Sequence, residues 1–257
     1  MIAHFSKSAF IFSQSKPSYV PKKGRDSFRE ASTVQLATTD SCLVVHLADS
    51  SGRHSQACAP ILKSVLCDEQ FIKAGCALDG DMMALYELWG GLDAKSRLDL
   101  GCLGTGRKNN DRYGLKTLTH AVLGVDLPKP KNIATSDWSS VPLTHNQIIY
   151  SARDAWAGAA IAQKLVEYDP ESFGHEMLIE KLSLSEVPIS KLVVRQRRRD
   201  RARSELQKLL APYRSPAIRM PKGVSRKAQR LRKVIKKRVI DPNLVLEKEH
   251  FDLETWK

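Results

Sequence analysis

Residues 148–165 read IIYSARDAWAGAAIAQKL. Ala, Ile and Leu dominate this stretch, and no Gly or Pro interrupts it before Gly158, so it predicts a buried helix. Into that apolar background it sets Tyr150 and Asp154, four residues apart and therefore one turn apart on one helix face. A lone tyrosine is ordinary at the rim of a core. A carboxylate on an otherwise apolar helix is less ordinary, because a buried charge is seldom kept unless it is paired or bound to a metal. The pair marks a candidate site.

Upstream, strand and helix signals alternate. AFIF (9–12), TVQLATT (33–39) and CLVVHL (42–47) predict strands, APILKSVLCD (59–68) a helix, FIKAGCAL (71–78) a β-type run and DMMALYELWG (81–90) another helix. RLDL (97–100), a polar loop through GTGRKNNDRYG, a helix over LKTLTHAVLG (115–124) and a PKPKN loop complete the body. The order predicts an α/β layer fold with a mixed sheet flanked by helices. GCLGTGRK (101–108) has the glycine spacing of a phosphate-binding P-loop, but Arg107 displaces the lysine and no Ser or Thr follows it, so it reads as a flexible glycine loop.

With 257 residues, 42% of them hydrophobic, the chain can bury one large core, with or without an appendage. It contains no run of about 18 uncharged apolar residues, which excludes a membrane-spanning helix. Five cysteines, an odd number without a C-x-x-C pair, predict reduced intracellular thiols, mostly small core residues, rather than a zinc site or a disulfide framework. Between Lys191 and Ile240, 19 Lys and Arg face only Asp200 and Glu205, a net of +17; with +13 overall, the other 207 residues sum to −4. The division predicted is therefore a body over 1–168 and a basic C-terminal extension, helical or disordered, over 169–257. RQRRRDRARSELQKLL (195–210) and SRKAQRLRKVIKKR (225–238) each allow a basic helix with a thin apolar stripe of Leu206, Leu209 and Leu210 or of Leu231, Val234 and Ile235. Such a block suits nucleic acid, DNA or RNA, with Arg197, Arg198, Arg199, Arg232, Lys236, Lys237 and Arg238 as candidate contacts. A solvated tail carrying a nuclear-import signal is the alternative, and a membrane surface would want larger apolar faces.

Asp81, in LDGDMMAL, falls in the first turn of a predicted helix, where an acid alone is explained by capping and by the helix dipole. Taken together with YGLKTLTHAVLGVDLPKPKNIATSDWSSVPLTHNQ and the Tyr150–Asp154 helix, however, FIKAGCALDGDMMALYELWG resembles the 3′–5′ exonuclease superfamily that includes ribonuclease D and the exonuclease domain of the Werner-syndrome helicase. The resemblance covers about residues 33–167, with the Gly-Asp, Leu-Gly-Val, Ser-Asp-Trp and Tyr-x-x-x-Asp segments in family order. It implies a ribonuclease H-like fold that removes nucleotides from 3′ ends with two divalent ions, Mg²⁺ or Mn²⁺. By that resemblance Asp81 and Asp154 are metal carboxylates, and Tyr150 orients the attacking water.

The family's first motif, a strand carrying Asp-x-Glu, is missing. The corresponding stretch AFIFSQSKPSYV places Phe12 and Gln14 where the acids belong, and the only acids between Met1 and Thr33 are Asp26 and Glu30, at the wrong spacing. The reading that follows is a 3′–5′ exonuclease-type phosphodiester hydrolase acting on nucleic acid, with a compromised metal site and inactive as written unless the N-terminal sequence is a faulty gene model; the alternative is a non-catalytic pseudo-exonuclease that binds nucleic acid. A scaffold driven by the tail alone would leave Tyr150 and Asp154 unexplained. The basic extension points to a nucleus, and the Ser- and Lys-rich, acid-free start to an organelle as the alternative. DNA versus RNA and oligomeric state have no signature in the sequence.

Overall fold

The computed structural model describes residues 10–15, 31–47, 57–102, 113–214, 218 and 220–236. Strands β1 (Phe10–Ser15), β2 (Ala31–Ala37) and β3 (Cys42–His46) form an antiparallel meander in which Phe12 registers with Gln35 and Gln14 with Thr33. Strands β4 (Lys73–Gly75) and β5 (Arg97–Asp99) pair in parallel as a second, two-stranded sheet, and β1, an edge strand of the meander, lies close to β4. Nine helices are described: α1 (Ala59–Cys67), α2 (Leu78–Leu88), α3 (Leu115–Leu123), α4 (Lys131–Ala134), α5 (His145–Tyr168), α6 (Pro170–Phe173), α7 (His175–Ser185), α8 (Ile189–Leu210) and α9 (Lys222–Lys236). The predicted mixed α/β layer fold is present.

The buried apolar residues divide into two clusters. Ala155, Ala159, Ile161 and Leu165 of α5 pack with Leu115 and Leu118 of α3 and with Ala74 and Leu98 of the parallel pair. On the other side, Leu62 and Leu66 of α1 and Leu78, Met82 and Leu85 of α2 pack with Ala31 and Val34 of β2. A strand covered on both faces reads as a continuous buried run rather than an alternating one, as residues 31–35 do. Small residues let α5 come close to the strands: an added Cβ at Gly158 would stand 3.9 Å from the Ala74 carbonyl oxygen.

Several boundaries differ from the sequence expectation. The β-type run 71–78 yields only β4, because Ala77 takes a left-handed conformation (φ 63°) and donates its amide to Asp99 Oδ1 at 3.1 Å, turning the chain into α2 at Leu78. Helix α5 starts at His145, three residues before the apolar stretch, because Thr144 and Gln147 close a reciprocal capping box. Of the polar loop GTGRKNNDRYG (104–114), all but Tyr113 and Gly114 lie outside the described residues. The four described thiols are all free; Cys58, Cys67 and Cys76 are half-buried and pack against the two clusters, whereas Cys42 is exposed and departs from the expectation of core cysteines. Among the described residues no helix is long and apolar enough to cross a membrane.

The chain beyond Tyr168 is built into the body through both clusters, and Phe173 and Leu178 are buried beside α5. Ile189, Leu192 and Val193 of α8 are buried in the α1–α2 cluster. Just before them, Glu186 accepts the backbone amides of Ser96 (3.0 Å) and Arg97 (2.5 Å). The Arg97 guanidinium lies between two acids, with Nε 3.0 Å from Asp79 Oδ1 and Nη1 3.5 Å from Glu186 Oε1. It also donates to the carbonyls of Ala94 and, at 2.8 Å, of Val187. Burial pushes the Glu186 carboxyl up, while Arg97 and the two amides pull it back down.

Lys73 is fully buried beside this network and donates to the Asp68 carbonyl at 2.6 Å. Burial lowers its pKa to about 8, with Glu186 and Asp68 opposing the shift. An unfolded chain would hold this proton up to the ordinary value of 10.5, so between those values the unfolded state binds more protons than the folded one. Stability is therefore expected to rise with pH through that window, by up to about 3 kcal/mol from this group. Urea titrations across the window should show the rise in the unmodified chain and a clearly smaller one in Lys73→Met.

Candidate active site and nucleic-acid interface

The capping box sets the start of α5, and the Ser-Asp-Trp segment holds it in place. Gln147 Nε2 donates to the Asp137 carbonyl (2.8 Å) and to Ser136 Oγ (3.0 Å), while Asp137 itself accepts from Ser139 and Ser140. This places the fully buried Trp138 against Tyr150, with ring centroids 5.9 Å apart and planes tilted by 59°. The Trp138 carbonyl lies 3.0 Å from His46 Nε2, which ties the segment to β3. Tyr150 is 8% exposed, so its ring is mostly core, yet it also lines a cleft of about 300 Å³. Pro128, Pro130 and Asn132 form one wall of that cleft, and Asn146, Tyr150 and Arg153 the other.

Asp154, one turn beyond Tyr150, is buried like it. Its Oδ2 accepts from Lys129 Nζ at 3.1 Å, an ion pair in which the aspartate side chain is 4% exposed and the lysine 28%. Sequence reasoning missed this lysine because PKPKN reads only as a loop. The available signal was its position between two prolines, which restricts the backbone and fixes where the long side chain starts.

Asp81 sits in the first turn of α2, half-buried. It is not the N-cap, which is Ala77, and it is not the inward acid of that turn, which is Asp79 on Arg97. Helices α2 and α5 belong to different core clusters, and both contact β1 and β2. Tyr150 and Asp154 thus share one helix, whereas Asp81 comes from a helix across the strand layer. Phe12 and Gln14 occupy β1, a strand that both helices contact.

A two-ion site needs hard oxygen ligands, several per ion. Here Phe12 and Gln14 bring no carboxylate, and Asp154 is already paired with an ammonium. Among the described residues no group of three or more His, Cys, Asp or Glu could hold a metal. The described residues do not fit the implied pair of ions.

The basic extension is helical where it is described. Helix α9 turns Ala228, Leu231, Val234 and Ile235 towards α8 and leaves Arg226, Arg230, Arg232, Lys233 and Lys236 exposed. A shallow groove of about 460 Å³ runs along Arg226, Lys227, Arg230 and Leu231. The candidate contacts are unequal. Arg198, Arg232 and Lys236 are exposed, whereas Arg197 spends its Nη2 on both oxygens of Glu87, each at 2.8 Å, and Arg199 is half-buried. Lys237 and Arg238 lie outside the described residues.

A family model described as 3′–5′ exonuclease matches residues 23–168, which begins after β1. The mouse bifunctional 3′–5′ exonuclease/ATP-dependent helicase WRN is 33% identical over 148 residues, 56% of this chain and 10% of that protein. An Arabidopsis thaliana 3′–5′ exonuclease is 30% identical over 141 residues, 52% of this chain and 46% of that protein. The match therefore spans less than half of either relative. Escherichia coli RNase D superposes with a TM-score of 0.53 at 18% identity, covering 97% of this chain and 57% of that one. The Aedes aegypti Nibbler EXO domain gives 0.52 at 19% identity, covering 68% and 85%. At such identities the superpositions establish a shared ribonuclease H-like fold, which for RNase D takes in the C-terminal helices.

Proposed function

This chain belongs to the 3′–5′ exonuclease family, and we propose that it acts there chiefly as a nucleic-acid-binding member that hydrolyses little or nothing as its sequence stands. The observation that carries this reading is the donor set: Phe12 and Gln14 on β1, and Asp154 paired with Lys129. Two carboxylates, one already neutralised, are a poor match for two hydrated divalent ions, which give up water only to several oxygen ligands at once. Retention of Tyr150 and Asp154 one turn apart, with Asp81 across the strand layer, favours a second reading, a hydrolase whose remaining ligands come from elsewhere.

Affinity in this proposal comes mainly from the α8–α9 pair. Its exposed basic side chains neutralise phosphates and release counterions, a term that is salt-dependent and nearly indifferent to sequence. The test keeps the whole chain, because α8 contributes to the core. Changing Arg198, Arg232, Lys233 and Lys236 to Gln should lower the slope of log K against log salt on a single strand by about 3, at about 0.7 per phosphate contact. A salt titration on one labelled oligonucleotide reads this directly. Equal slopes and affinities would remove the helices from the interface.

A further inference from the structure

The Lys129–Asp154 pair has a consequence for the cleft that goes beyond binding by the basic helices. The Asp154 carboxylate is buried on the apolar helix α5, where an uncompensated charge would be costly, and the Lys129 ammonium meets it at 3.1 Å. Lys129 reaches it from between Pro128 and Pro130, both of which line the cleft beside Tyr150 and Arg153. The residue before a proline is held extended, so the lysine stem begins from a restricted backbone and loses less freedom in making the pair. We propose that Lys129 is the resident cation of this cleft: it fills the charge role at Asp154 that a divalent ion would fill, and so excludes the ion. With Asp154 neutralised in this way, the cleft offers Arg153 to an approaching phosphate without a counter-charge from that carboxylate. The proposal rests on reading Asp154 as the carboxylate of the cleft.

Manganese binding tests it, measured on the full chain without nucleic acid by the paramagnetic resonance signal of free Mn²⁺. Removing a cation from an ion pair frees its carboxylate for another, so Lys129→Met should bind one ion roughly tenfold more tightly than the unmodified chain. Lys129→Arg, which keeps the charge, should behave as unmodified, and adding Asp154→Asn to Lys129→Met should abolish the gain. Equal affinities for the unmodified chain and Lys129→Met, or a gain that survives Asp154→Asn, would overturn the proposal. Should Lys129→Met fail to fold, nuclear magnetic resonance of the unmodified chain decides. A slowly exchanging Lys129 ammonium signal that stays unbroadened in excess Mn²⁺ supports the pair, while its absence or its loss to Mn²⁺ overturns it. Because the titration contains no nucleic acid, its failure leaves binding by α8 and α9 standing, and a failure of that binding leaves the titration standing.

Discussion

Introducing Phe12→Asp and Gln14→Glu together is expected to give the chain manganese-dependent shortening of single strands from the 3′ end, on the order of a hundredfold above the unmodified protein. Positions two apart on a strand fall on one face, so the two new carboxylates would act side by side. The strand that carries them, β1, is contacted by both α2 and α5, the helices of Asp81 and Asp154. Four carboxylates compete for a divalent ion far better than two, and the ammonium of Lys129 would then face a stronger rival for Asp154. A 5′-labelled oligonucleotide resolved by length reads the effect. Products shortened one nucleotide at a time should appear in the double variant and vanish when Asp154→Ala is added. No shortening in a folded double variant would mean that β1 does not supply the missing ligands.

Arg97→Ala is expected to cost about 3–5 kcal/mol of stability, the range for removing one member of a buried charge network. The guanidinium, 2% exposed for the whole residue, serves Asp79 in the first turn of α2, Glu186 ahead of α8, and two backbone carbonyls. Without it, two buried carboxylates are left facing each other's field, and the anchor that fixes α8 to β5 loses its charged half. Urea unfolding should show the midpoint fall with little change in slope. Arg97→Lys keeps the charge but not the planar fork, and should recover only part of the loss. A loss under about 1 kcal/mol would place the network among the weak surface pairs.

Local patterns in the chain were enough for much of this architecture. The apolar stretch 148–165, the glycine that closes α3 at position 124 and the stripe Leu231, Val234 and Ile235 on α9 each reappear where periodicity puts them. The earlier start of α5 was also legible, since Thr144 and Gln147 are a capping box three residues apart, a signal that hydrophobic spacing alone overlooks. Contacts between distant residues were not. Glu186 meets Arg97 across 89 residues, and Lys129 meets Asp154 across 25, through bends whose direction no propensity encodes. The sequence names Tyr150 and Asp154 as a pair, but the lysine that neutralises Asp154, and the tie of Arg197 to Glu87, emerge only once the helices are packed.

The most direct measurement incubates the unmodified full chain with Mn²⁺ and a 5′-labelled single strand, following binding and strand length in the same samples. The expected result is a salt-sensitive complex in which the strand keeps its full length. Stepwise shortening from the 3′ end by the unmodified chain, abolished by Asp154→Ala, would contradict it.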